Sequence, residues 1–163
     1  MVVDRALLIL AACSFAGCLV DGSGALLGRW TRPVGPDPAL GVASQEVWVE
    51  FRDDGTVLEW DRLTYELGSS FPGCTFERKH LGRYEASATS HTLDVDWQSG
   101  TMAVTGCVEP SMNGEHAVPP EDIAVMNAET NDKDGFADRV FELRGGDLVL
   151  TAGKTERVWN KVR

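Results

Sequence analysis

From residue 44 to residue 52 the chain reads SQEVWVEFR, which places Val47, Val49 and Phe51 on one side of an extended backbone and Glu46, Glu50 and Arg52 on the other. Trp48 alone breaks the pattern. A period of two predicts a strand with one dry face. Asp53, Asp54 and Gly55 follow as a tight hairpin turn, because Asp-Gly accepts the positive φ such a turn requires. The next run, TVLEWDR, predicts the return strand with Leu58 and Trp60 facing inward.

The same pattern organises the rest of the chain. Residues 26–32, LLGRWTR, read as a first strand, and the proline- and glycine-rich residues 33–43 as the loop that follows it. After a second loop at 68–73, residues 75–86 predict a strand with Leu81 and Tyr84 as its apolar content and Arg78, Lys79 and His80 on a wet stretch. Residues 92–97 alternate with Leu93, Val95 and Trp97 inward. Gln98, Ser99 and Gly100 then predict a turn, and the chain returns with Met102 and Val104 inward. Residues 109–138 form too long a connection for a compact β-domain unless they carry a helix or a function. Pro119 and Pro120 before EDIAVMNA predict a short helix, proline in its first turn and acids at its positive end, placed as a lid on one open end. Three closely spaced strands finish the chain, with Phe141 and Leu143, Leu148 and Leu150, and Val158 and Val162 inward.

About eight strands joined mainly by hairpins predict an all-β fold, an antiparallel up-and-down barrel, because closure removes aggregation-prone edges. The 163 residues suffice for one core. A net charge of -10 excludes nucleic acid as a partner, since binding it rests on neutralising phosphates with Lys and Arg. The same charge repels anionic headgroups, so membrane attachment has to come from something else.

The N-terminus offers that attachment. Residues 6–17 are an unbroken apolar or small-residue run, too short to span a bilayer and the right length for a signal h-region. The run closes on Phe15, Ala16, Gly17 and Cys18, which resembles the lipobox of bacterial lipoproteins; Phe15 stands where that family usually has an aliphatic residue. The resemblance implies that Cys18 is lipidated and becomes the mature N-terminus. Leu10, Ala11, Ala12 and Cys13 match the motif residue by residue but leave a short h-region, so Cys13 is the second candidate, and an ordinary secretory signal is the third reading. With Cys18 as anchor, residues 1–17 are the signal peptide, 18–25 a flexible tether and 26–163 the barrel. Leu19 is not the Asp that tends to retain such proteins in the inner membrane, which implies a bacterial envelope location at the outer membrane.

Cys74 and Cys107 remain. In an oxidising envelope compartment an isolated pair is most simply a disulfide, closing a loop of 33 positions and contributing roughly 3 to 4 kcal/mol by chain entropy. Two free thiols or a metal site are the alternatives, and the latter lacks C-x-x-C spacing and neighbouring histidines.

Gly28-Arg29-Trp30 on the first strand, the Phe-x-x-Asp-Gly hairpin from Phe51 to Gly55, Gly82-Arg83-Tyr84 and Arg157-x-Trp159 together resemble a bacterial lipocalin-like domain, over nearly all of the chain after Ala25. The Thr-Asp-Tyr motif that lipocalins often carry is missing. The resemblance implies that Gly28 and Trp30 close the barrel, with an arginine of the last strand, Arg157 or Arg163, packed over Trp30. A buried aromatic of any β-sandwich is the plainer reading of Trp30.

Residues 131–138 carry Asp132, Asp134 and Asp138 at calcium-loop spacing with Gly135 at the bend. Thr130 and Phe141 occupy the first and twelfth EF-hand positions, so a solvated acidic turn is the preferred reading and no metal is assigned. No nucleophile elbow, P-loop, dinucleotide fingerprint or H-E-x-x-H is present, and His80, His91 and His116 stand alone, so neither an enzyme nor a cofactor is expected. Two functions follow: a lipid-anchored barrel holding a small hydrophobic ligand, or a structural or interaction protein of the envelope whose barrel is packed solid.

Overall fold

The computed structural model describes residues 23–128, Phe136 and residues 139–163. The leader over residues 1–17, the candidate anchors Cys13 and Cys18, and Asp132, Asp134 and Asp138 lie outside the described residues. One helical turn, α1 (Ser23–Leu26), precedes strands β1 (Gly28–Arg32), β2 (Val42–Phe51), β3 (Thr56–Tyr65), β4 (Thr75–Ser87) and β5 (Thr92–Thr105). Then come β6 (Gly114–Ala117), the helix α2 (Pro120–Ala128), β7 (Arg139–Arg144), β8 (Asp147–Ala152) and β9 (Thr155–Lys161). The helical turn α1 thus covers the last residues of the stretch expected as tether.

All pairings are antiparallel. They run β4-β3-β2-β1-β9-β8-β7-β5, and a further β4–β5 ladder closes the ring. The fold is therefore a closed eight-stranded antiparallel barrel, as the strand count predicted. β6 lies outside the ring, paired along the far half of β5. The expected hairpin is present: Asp54 Oδ1 accepts from the Thr56 amide and hydroxyl at 2.9 and 2.6 Å.

The inward face of β2 is the predicted one, with Val47, Val49 and Phe51 buried. On β3 the phase is reversed. Phe51 pairs with Val57 and Trp48 with Trp60, and directly opposed residues share a face, so Val57, Glu59 and Asp61 point inward. Leu58 and Trp60 take the outer face, where Trp60 stacks on Trp48 at 5.6 Å and Arg29 lies over the Trp48 ring at 4.2 Å. β9 is reversed too: Trp159 is buried, while Val158 and Val162 are exposed. Leu143 and Leu81 are also exposed.

The turn expected at Gln98–Gly100 is not a turn. β5 runs straight through it, and Leu81 pairs with Ser99 while Gly82 pairs with Trp97, leaving Gln98 as the extra residue of a bulge. A bulge shifts the inward phase from odd to even positions, which reconciles Leu93, Val95 and Trp97 with Met102 and Val104. Gly82 makes room for it, since a Cβ there would stand 2.6 Å from the Asp96 carbonyl oxygen.

Two apolar clusters occupy the interior. The larger surrounds Trp30, Phe51, Tyr84, Trp97, Phe136 and Trp159. The smaller holds the Cys74–Cys107 disulfide with Val104, flanked by Phe76, Met102 and Met112. Gly28 stands opposite Phe51 at the hairpin end of the barrel, with Arg32 and Tyr65 toward the other. Trp30 belongs to the hairpin end: its Nε1 donates to the Leu26 carbonyl at 2.7 Å, and the Tyr84 hydroxyl donates to the Arg52 carbonyl at 2.9 Å.

β7 pairs with β5 only at Thr92–Val140 and Leu93–Arg139. Beyond that point α2 serves the β5 edge instead. Asn127 Oδ1 accepts from the Trp97 amide at 2.8 Å and its Nδ2 donates to the Trp97 carbonyl at 2.9 Å, one side chain doing the work of a peptide on a neighbouring strand. The helix expected as an end lid is therefore anchored on the barrel wall, with Ile123 buried beneath it.

Candidate ligand cavity

A cavity of about 500 Å³ lies inside the barrel between the two apolar clusters. Its apolar side is built by Val47, Trp97, Met102 and Phe136 together with Val118, Val125 and Met126 of the connection and α2. Its polar side comes from the inward face of β3 and β4, with Gln45 of β2 beside them.

That polar side follows from strand register. Asp61 pairs with Arg78 and Glu59 with His80 across the β3–β4 ladder, so each carboxylate meets a basic group on the same inner face. Arg78 Nε donates to Asp61 Oδ1 at 2.8 Å, and its Nη2 donates to Asp61 Oδ2, a two-pronged pair that fixes both planes. Burial works to lower the Arg78 pKa, but the hydrogen bond and charge of Asp61 outweigh it and hold the guanidinium above its ordinary value.

His80 Nδ1 lies 3.2 Å from Glu59 Oε2. The His80 side chain is 9% exposed and that of Glu59 16%. The imidazole stands 5.9 Å from the Trp97 ring, and Gly100 leaves space for it, since a Cβ there would approach His80 Cδ2 to 2.7 Å. The wet stretch expected at Arg78, Lys79 and His80 is thus split by alternation: Arg78 and His80 face the cavity, and Lys79 faces outward to Glu77 at 2.9 Å.

Cys74 and Cys107 form the expected disulfide, with S–S 2.06 Å, tying the start of β4 to the residues after β5. The cation over Trp30 is Lys161, at 5.0 Å from the ring centroid. Arg157, expected there, pairs with Leu150, and Trp30 pairs with Lys161, so Arg157 is displaced by four positions, about 13 Å along β9. Arg163 follows the end of β9 and is exposed.

Among the described residues, no group of three or more His, Cys, Asp or Glu is arranged to hold a metal ion, and no helix is long and apolar enough to cross a membrane. Sequence reading missed the whole polar side of the cavity. The signal that marks it is hairpin parity: with Phe51 inward and its register partner Val57 inward, Glu59 and Asp61 have to follow. No protein-family model matches the chain, and no curated protein matches its sequence.

Proposed function

We propose that this protein is a lipid-anchored protein of the bacterial envelope whose lipocalin-like barrel holds a small, largely hydrophobic molecule. The observation that carries the reading is the cavity of about 500 Å³ within the barrel, a size suited to a small ligand. Its Trp97, Phe136, Val118 and Met126 side supports an apolar ligand body, and its Glu59–His80 and Asp61–Arg78 side supports a polar group at one end.

The anchor is Cys18, and the location is the outer membrane. Five chain steps separate Cys18 from Ser23, a reach of at most about 17 Å. α1 meets the barrel beside Trp30, so that end is held toward the membrane, and the cavity, on the side of the 109–138 connection, opens away from it. The role is non-enzymatic.

Two measurements test the reading. Organic extraction of protein purified from its native envelope yields a co-purifying small molecule, and the emptied barrel binds the neutral dye Nile red; neither outcome occurring would return the barrel to a structural role. Radioactive fatty acid labels the wild type and leaves Cys18→Ala unlabelled, whereas persistent label would move the anchor to Cys13 or remove it.

A further inference from the structure

We infer that the polar end of the cavity recognises a protonated amine, so that the ligand is a hydrophobic ammonium; this rests on the binding cavity proposed above and adds the chemistry of the head group. The charges facing the cavity are not equivalent. Both oxygens of Asp61 are taken by Arg78, which neutralises that pair toward a ligand. The Arg32 guanidinium lies over the Trp159 ring at 5.5 Å. Besides that pair the cavity carries one guanidinium, Arg32, and two carboxylates, Glu59 deep in the barrel and Asp122 in the first turn of α2.

Glu59 is the acceptor of this site, with His80 against one of its oxygens. A carboxylate only accepts, so the Nδ1 that faces Glu59 carries the proton, and Glu59 has a second oxygen, Oε1, as a further acceptor. Both side chains are largely buried in the barrel wall, at 9% exposure for His80 and 16% for Glu59. A carboxylate in so sheltered a position favours a charged donor, and an ammonium supplies up to three N–H groups.

Two further features favour a cation over an anion. The Trp97 ring, 5.9 Å from His80, offers a π face at the same point of the cavity. The net charge of -10 draws cations toward the protein and repels carboxylates. The apolar side formed by α2 and β5 then takes the hydrocarbon body.

The test is calorimetric titration of the full chain with decylamine, decanol and decanoate, which share a tail and differ in head group. Decylamine is expected to bind about tenfold more tightly than decanol, the gain of one charge-assisted hydrogen bond, with decanoate weakest. Glu59→Gln, which keeps an acceptor for His80, is expected to abolish the preference for decylamine over decanol. Asp122→Asn, at an exposed position, lowers decylamine binding about threefold. Decanoate binding as tightly as decylamine, or an amine preference that survives a correctly folded Glu59→Gln, overturns the inference. Decanol binding with no amine preference overturns the head-group assignment and leaves the barrel a hydrophobic binder, whereas failure of all three ligands overturns the binding reading itself. The wild-type ranking of the three head groups decides the matter even where a variant fails to fold.

Discussion

Two tryptophans on neighbouring strands stand in opposite environments, and replacing each by alanine tests how the barrel is held together. Trp30 is 1% exposed, donates its indole N–H to Leu26 at 2.7 Å and lies under Lys161 at 5.0 Å. Trp30→Ala empties a volume walled by the main core and leaves the Leu26 carbonyl without its donor. Truncations of this kind cost about 3 to 5 kcal/mol, which is a third or more of a typical domain's stability. Trp48 carries the same side chain on the outer face, half-buried, between Trp60 and Arg29. Trp48→Ala forfeits one stacking and one cation–π contact, about 1 to 2 kcal/mol. Urea unfolding followed by circular dichroism reads the difference as a midpoint lowered by roughly 1.5 M or more for Trp30→Ala and by about 0.5 to 1 M for Trp48→Ala. Equal effects, or a larger one for Trp48→Ala, would refute the assignment of Trp30 as the residue that seals the hairpin end.

Other perturbations give separate readings. Replacing Cys74 and Cys107 together by serine lowers unfolding free energy by about 3 to 4 kcal/mol, and reductant lowers the wild type equally and the variant not at all. Gly82→Ala forces a Cβ to within 2.6 Å of the Asp96 carbonyl oxygen, so thermal unfolding should show a loss of about 1 to 3 kcal/mol. Burial, with Asp54 and Asp53 nearby, raises the Tyr84 phenol above its ordinary 10.0. A group whose folded pKa is raised contributes fully below its unfolded value and loses that contribution as pH rises through the folded one, so stability falls on the alkaline side of 10.0. Urea unfolding across the alkaline range should show this decline in the wild type and a shallower one in Tyr84→Phe, which also gives up about 1 kcal/mol for the hydrogen bond to Arg52.

The barrel was legible in the sequence because most of its strands are dry on one side and their hairpins are short. Val47, Val49 and Phe51, or Leu93, Val95 and Trp97, leave little choice of face. β3 and β9 misled because both sides of those strands carry large side chains, and the outward Trp60 finds a stacking partner in Trp48. Hairpin parity outranks side-chain size there: once Phe51 is inside, the turn at Gly55 commits Val57, Glu59 and Asp61. At Gln98 a phase flip flanked by serine and glycine has the same signature for a bulge as for a turn. What separates them is Gly82 on the partner strand, a long-range fact. The matching of Asp61 with Arg78 and Glu59 with His80 depends on register across the loop of residues 66–74, which local patterning does not set. The cavity was invisible for the same reason, since α2 and β5 come together only when Asn127 reaches the Trp97 backbone.

The proposed ligand site in the barrel interior is tested most directly by filling it. Met126, half-buried on α2, lines the cavity and packs against the main core, so Met126→Trp fills the space without altering a strand. Nile red titration of the emptied wild type should saturate at one dye per chain, and Met126→Trp, its circular dichroism unchanged, should bind at least about tenfold more weakly. No saturable binding by the wild type, or undiminished binding by the filled variant, would contradict it.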